Sequence, residues 1–128
     1  FSCTWETSDI RKWLNGSFYS GAFSGGEKRG IAETTISNPY NAEWGTDGGN
    51  KTSDKVFLLS LDEAERYFSN DGDRAANYGN DGAWWWLRSP GAYVSGAAGV
   101  VGGGIVYDSG NYVFGYYGGV RPALYINL

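Results

Sequence analysis

The chain has 128 residues and a formal net charge of -4, enough for one domain with a buried core and the wrong balance for nucleic acid, whose phosphates need clustered Lys and Arg. It has no histidine and a single cysteine, Cys3, which excludes Ser-His-Asp and Cys-His catalysis, an internal disulfide and a multi-cysteine metal site. No run of about twenty apolar residues is present, so membrane insertion is not expected, and 21 glycines beside a 17% aromatic content predict a folded, turn-rich domain.

Helical spacing of Ile10, Trp13, Leu14 and Phe18, with Thr7 or Ser8 as cap, predicts a helix from Thr7 that Asn15-Gly16 ends, followed by a shorter turn over 18–23. A second short helix is expected after Ser24, with Ile31 facing inward, and Asn38-Pro39 closes this region. Residues 38–54 read as a polar loop. Val56–Leu59 then reads as a short buried strand, and Ser60 with Glu63 forms a capping box opening a helix through Phe68. Residues 69–82 are a second polar loop. Its oxygens at Asp71, Asp73, Asn77, Asn80 and Asp81 miss calcium-loop spacing, because Ala75 occupies a ligand position and no glutamate closes the set. Trp84–Ser89 reads as a strand with alternate rings on opposite faces, Pro90-Gly91 turns it, and 121–126 reads as the last strand. Helices first and strands last predict an α+β domain, a helical part with loops over 1–83 and a β-rich part over 84–128.

Residues 91–119 differ from everything before them. Ten of the 29 are glycine, tyrosine and phenylalanine are frequent, and the only charge is Asp108. Tyr, Ser and Gly are also the vocabulary of antibody paratopes, where rings give contact area at low entropy cost and small residues give adaptability. Ala98, Val100, Val106 and Val113 suit inward-facing strand positions, and Gly104 and Gly110 suit turns. Between them lie positions that follow no structural preference and form the candidate ligand-binding set: Ala92, Tyr93, Val94, Ser95, Gly96, Gly99, Val101, Gly102, Ile105, Tyr107, Asp108, Asn111, Tyr112, Phe114, Gly115, Tyr116 and Tyr117. The segment lacks Glu, Gln, Lys, Met and Trp, although 16 such residues occur elsewhere in the chain. Those five types have no codon ending in a pyrimidine, and every type present has one. Randomising both adenines of an asparagine codon generates such an alphabet, with compositional accident as the alternative, and a plain turn-rich surface is the competing reading of the segment.

The stretches TWETSDIRKWLNGSFY (4–19), DKVFLLSLDEAERYF (54–68), WWWLRSPG (84–91) and GGVRPALYINL (118–128) resemble a bacterial domain family of unassigned function with a C-type-lectin-like fold, related to the formylglycine-generating-enzyme branch. The resemblance covers essentially the whole chain, with four motifs in the right order, without the additional upstream strands usual in that family. The nearest functional likeness is to the variable proteins of diversity-generating retroelements, which carry a hypervariable segment on this fold near the C-terminus. The resemblance implies two or three short helices followed by a twisted antiparallel β-region. It also implies a ligand-binding face made from 91–119, with Val100, Val106, Val113 and Arg121 in the unvaried framework above the Trp84–Ser89 strand. It argues against chemistry, since the oxidising enzymes of that branch use paired cysteines or copper-binding thiols, and calcium-dependent lectin motifs are absent.

Trp84–Trp86 are expected to be core packing, with a sugar-stacking row as the alternative. Arg88 and Arg121 are expected to pair internally with carboxylates. Asp62, Glu63 and Glu65 read as capping and solvated surface and not as a glycosidase pair. The chain is therefore expected to be a non-catalytic binding domain without cofactor or metal. Its partner is expected to be a protein or other macromolecule in preference to a sugar, met on a cell surface, in secretion or on a phage particle. A carbohydrate- or cell-wall-binding module is the alternative.

Overall fold

The computed structural model describes residues 1–115 and 117–128. Ser8 caps the first helix, its Oγ accepting the Arg11 amide at 3.2 Å. Asn15-Gly16 does not end that helix. α1 (Asp9–Trp13) passes through a π-helical segment (Leu14–Phe18) into α2 (Tyr19–Ala22) without a break. Asn15 is the physical reason: its Nδ2 donates to the Arg11 carbonyl (3.1 Å) and to the Val56 carbonyl (2.8 Å), while its Oδ1 accepts the amides of Lys55 and Val56. The wider π turn is thus stitched to a distant loop by one side chain, and Leu14 is left fully buried. α3 (Gly25–Gly30) starts at a Ser24–Glu27 capping box, and Ile31 is buried as expected.

The first polar loop ends in β2 (Thr52–Asp54), which pairs antiparallel with β1 (Thr34–Ile36). Val56, Phe57 and Leu58 are buried as expected, but the stretch is extended chain with one bridge, in which Phe57 and Ala123 exchange both backbone hydrogen bonds. These residues join Trp5, Leu14 and Ile36 in one apolar cluster. The expected capping box opens α4 (Leu61–Tyr67). The second polar loop holds more order than its composition suggested: α5 (Asp71–Arg74) leads into an antiparallel hairpin of β3 (Ala76–Tyr78) and β4 (Asp81–Ala83). Its oxygens serve locally, Asn70 capping α5 and Asp71 pairing with Arg74 at 2.9 Å.

β5 (Trp85–Pro90), β6 (Gly96–Val100) and β7 (Val106–Tyr112) form a three-stranded antiparallel sheet with β6 in the middle. The tryptophans alternate as expected: Trp85 joins a second cluster with Ala64, Leu87, Ala98 and Val100, while Trp84 and Trp86 meet on the other face at 5.6 Å. Pro90 closes the strand, and the turn falls after it, over 91–95. Gly104 sits in the β6–β7 turn as expected, at φ +92°. Gly110, expected in a turn, instead lies within β7 at φ +66°, where Ala97 faces Asn111 but Gly99 faces Tyr107. β7 therefore bulges around 108–110, a geometry that glycine permits. The expected last strand is not formed; residues 121–126 make isolated bridges from Ala123 to Phe57 and from Ile126 to Ile31. The chain is an α+β domain of short helices and small antiparallel sheets.

Candidate binding face

Two buried asparagines fix the 38–48 loop against the main sheet. Asn38 Nδ2 donates to the carbonyls of Gly48 (2.9 Å) and Arg88 (3.0 Å). Asn41 Nδ2 donates to the carbonyls of Pro90 and Asp108, both at 2.9 Å, while its Oδ1 accepts the amides of Glu43 and Trp44. Asn41 thereby ties β5, the β7 bulge and a tight turn to one buried side chain, at which backbone groups would otherwise lack partners. Trp44 is held out from that turn, half its surface exposed, with its Nε1 donating to Asp108 Oδ1 at 3.3 Å.

Beside Trp44 runs a connected row of exposed rings. Tyr93, in the β5–β6 turn, and Tyr112, at the end of β7, stack at 5.9 Å with planes 14° apart. Tyr112 meets Phe114 at 5.5 Å, and Phe114 meets Phe1 edge-on at 5.4 Å. An open groove of about 500 Å³ lies between the Trp44–Asp47 turn and the Ala92–Ser95 turn, with Tyr112 along it. On the other side, a cavity of about 630 Å³ opens between the N-terminal segment and the sheet, with Phe1, Phe114 and Tyr117 among its lining residues. Cys3 lines that cavity too. Burial pushes its thiol above the ordinary value, with Asp9 adding to the shift and a hydrogen bond to Thr7 opposing it, so the neutral thiol prevails near neutral pH.

The sequence-derived set divides on the structure. Tyr93, Val94, Ile105, Tyr107, Asp108, Tyr112, Phe114, Gly115 and Tyr117 are exposed, and Ala92, Ser95, Val101, Gly102 and Asn111 are half-buried. Gly96 and Gly99 are buried and belong to the scaffold, which corrects the reading of both as free positions. A Cβ on Gly99 would run into the Trp84 ring, and one on Gly96 would lie 3.1 Å from the Asn111 carbonyl oxygen. Tyr116 lies outside the described residues. The set is not one patch: Val101, Gly102 and Ile105 sit at the opposite end of the sheet, where Gly102 abuts Gly82 of the β3–β4 hairpin. Tyr107, near that end, leans on Trp84 at 5.9 Å. Framework positions Ala98 and Val100 are fully buried, and Val106 packs against them.

Sequence reading missed Phe1, Trp44 and Asp47. The available signal was Trp44 itself, a large ring in a loop without apolar periodicity, which has no helix or strand face to bury it.

The other groups resolve clearly. Trp84 and Trp85 are buried and Trp86 is half-buried, so they do not form an exposed row. Arg88 pairs with Glu63 as expected. Arg121 does not pair with a carboxylate among the described residues; it donates to the Arg74 carbonyl and stacks on Trp85 at 4.6 Å and Phe68 at 5.4 Å. Glu63 is the buried cap of α4, while Asp62 sits on the surface in an i,i+4 pair with Arg66. Among the described residues no group of three or more His, Cys, Asp or Glu assembles to hold a metal, and no helix is long and apolar enough to cross a membrane.

These features define a small α+β domain whose three-stranded sheet presents a glycine- and tyrosine-rich segment beside an anchored tryptophan loop. The chain belongs to DUF6273, a family described as a domain of unknown function, which matches residues 2–128. No curated protein and no solved structure matches the chain.

Proposed function

We propose that the domain is a non-catalytic binding module of C-type-lectin-like type, which recognises a protein or other macromolecule through a face diversified in the manner of retroelement variable proteins. The observation that carries this reading is the continuous exposed row Tyr93–Tyr112–Phe114, drawn from the one segment with the restricted residue alphabet. Exposed aromatic anchors dominate protein interfaces, and tyrosine supplies area at low entropic cost. Within the same segment Ala98 and Val100 are buried while Tyr93, Val94, Tyr112 and Phe114 are exposed, which suits a fixed framework carrying a surface free to vary.

A protein partner suits the relief better than a sugar. Successive rings are inclined by 14°, 34° and 79°, an uneven surface and not a flat platform for a pyranose. The reading requires no cofactor, metal or nucleic acid, and it sets the domain on a cell surface, in secretion or on a phage particle.

A display library tests it. Tyr93, Val94, Ser95, Tyr112, Phe114 and Tyr117 are randomised over codons ending in a pyrimidine, with Ala98, Val100, Gly96 and Gly99 kept. Most clones are expected to melt cooperatively near the parent temperature, and selection on unrelated proteins is expected to yield binders that map to these positions. Loss of folding in most clones would show that the face is structural and would defeat the proposal.

A further inference from the structure

We infer that the groove between Trp44 and the Tyr93–Tyr112 pair receives a cationic side chain, arginine above all, projecting from the partner protein; this rests on the binding role proposed above. Three rings, Trp44, Tyr93 and Tyr112, line one open groove, and aromatic faces attract cations through their quadrupole. Charge points the same way. The groove lining includes Asp47 and no Lys or Arg, and the two segments that supply it, 38–50 and 91–119, carry Glu43, Asp47 and Asp108 as their charged side chains.

Asp47 lines the groove and is positioned by its own turn, its Oδ1 accepting the Gly49 amide at 3.0 Å. Asp108 is exposed next to Trp44, its Oδ1 accepting the indole hydrogen at 3.3 Å. A guanidinium entering here meets ring faces for stacking and carboxylate oxygens for forked hydrogen bonds, a combination that arginine's flat group satisfies better than an ammonium. An apolar occupant would find no partner for the Asp47 carboxylate, and an acidic one would be repelled. Asn41 fixes the Trp44 turn before any partner arrives, so little ordering is needed on binding.

The test is an NMR titration of the folded domain with three short peptides, acetyl-Gly-Phe-X-Phe-Gly-amide with X as arginine, glutamate or norleucine. The Trp44 indole resonance, assigned through Trp44→Phe, is the reporter. The arginine peptide is expected to shift it saturably and the other two far more weakly, with the effect reduced by added salt. The double variant Asp47→Asn, Asp108→Asn is expected to weaken that binding on the order of tenfold while leaving the melting temperature in place. Equal response to norleucine and arginine, or unchanged binding in the double variant, overturns the cationic occupant and leaves the aromatic face standing. No shift from any of the three overturns the occupant as well, and the display library then decides the face separately.

Discussion

Trp85→Ala is expected to remove about 3–5 kcal/mol of folding stability, read from urea unfolding followed by circular dichroism. Trp85 is only 1% exposed and sits among Ala64, Leu87, Ala98 and Val100, between α4 and β6. Truncation opens a cavity and also strips three neighbours at once: Phe68 at 6.2 Å, the Arg121 guanidinium stacked on the ring, and the Arg74 carbonyl that accepts its Nε1 hydrogen at 3.1 Å. Arg121 and Arg74 would then be left over a void. Trp86→Ala should cost clearly less, because that ring is half-buried. A loss below about 1 kcal/mol at Trp85 would contradict its place at the centre of the second cluster.

Glu63→Gln is expected to be comparably severe, about 3–5 kcal/mol, although it changes a single atom type. Glu63 and Arg88 are both nearly fully buried, and the carboxylate does two jobs through Oε1, accepting the Ser60 amide at 2.9 Å and pairing with Arg88 Nη1. The guanidinium also donates to the carbonyls of Leu58 and Ser37, so it cannot swing out to water when the charge opposite is lost. Glutamine preserves an acceptor for the cap, which isolates the charge as the cause. Asp62→Asn, one position earlier, breaks only an exposed pair with Arg66 and should stay within about 0.5 kcal/mol by the same unfolding measurement. Similar effects for the two would mean that the Glu63–Arg88 pair is solvated.

What could be read from the sequence was local. The Ser60–Glu63 box, the buried Ile31, the alternation of Trp84, Trp85 and Trp86, and the inward Ala98 and Val100 each depend on neighbours a few residues away, and the structure has them all. The errors arose where distant chain segments decide. Asn15-Gly16 has the composition of a helix end, yet Asn15 bonds the 55–56 backbone and the helix continues as a π turn. Gly110 looked like a turn and lies in a bulge, set by a register shift against Ala97–Gly99 of β6 that leaves no room for a Cβ beside the Ala97 carbonyl. Residues 121–126 have strand composition but meet their partners Phe57 and Ile31 one bridge at a time. The face shows the same limit: Tyr93, Tyr112 and Phe114 were legible as an unusual composition, whereas Trp44 reaches them through an Asn41–Asp108 hydrogen bond that spans 67 residues of chain.

The most direct measurement of the central claim is to sequence this gene from many individuals of its natural population and map the differences onto the structure. The proposed role predicts variation concentrated at the exposed and half-buried positions of the segment, Tyr93, Val94, Ser95, Tyr112, Phe114 and Tyr117 foremost, with Ala98, Val100, Gly96 and Gly99 constant. A segment as uniform as the rest of the chain would contradict diversified recognition. Variation at Gly99 would contradict the packing as well, since a side chain there has to displace the Trp84 ring.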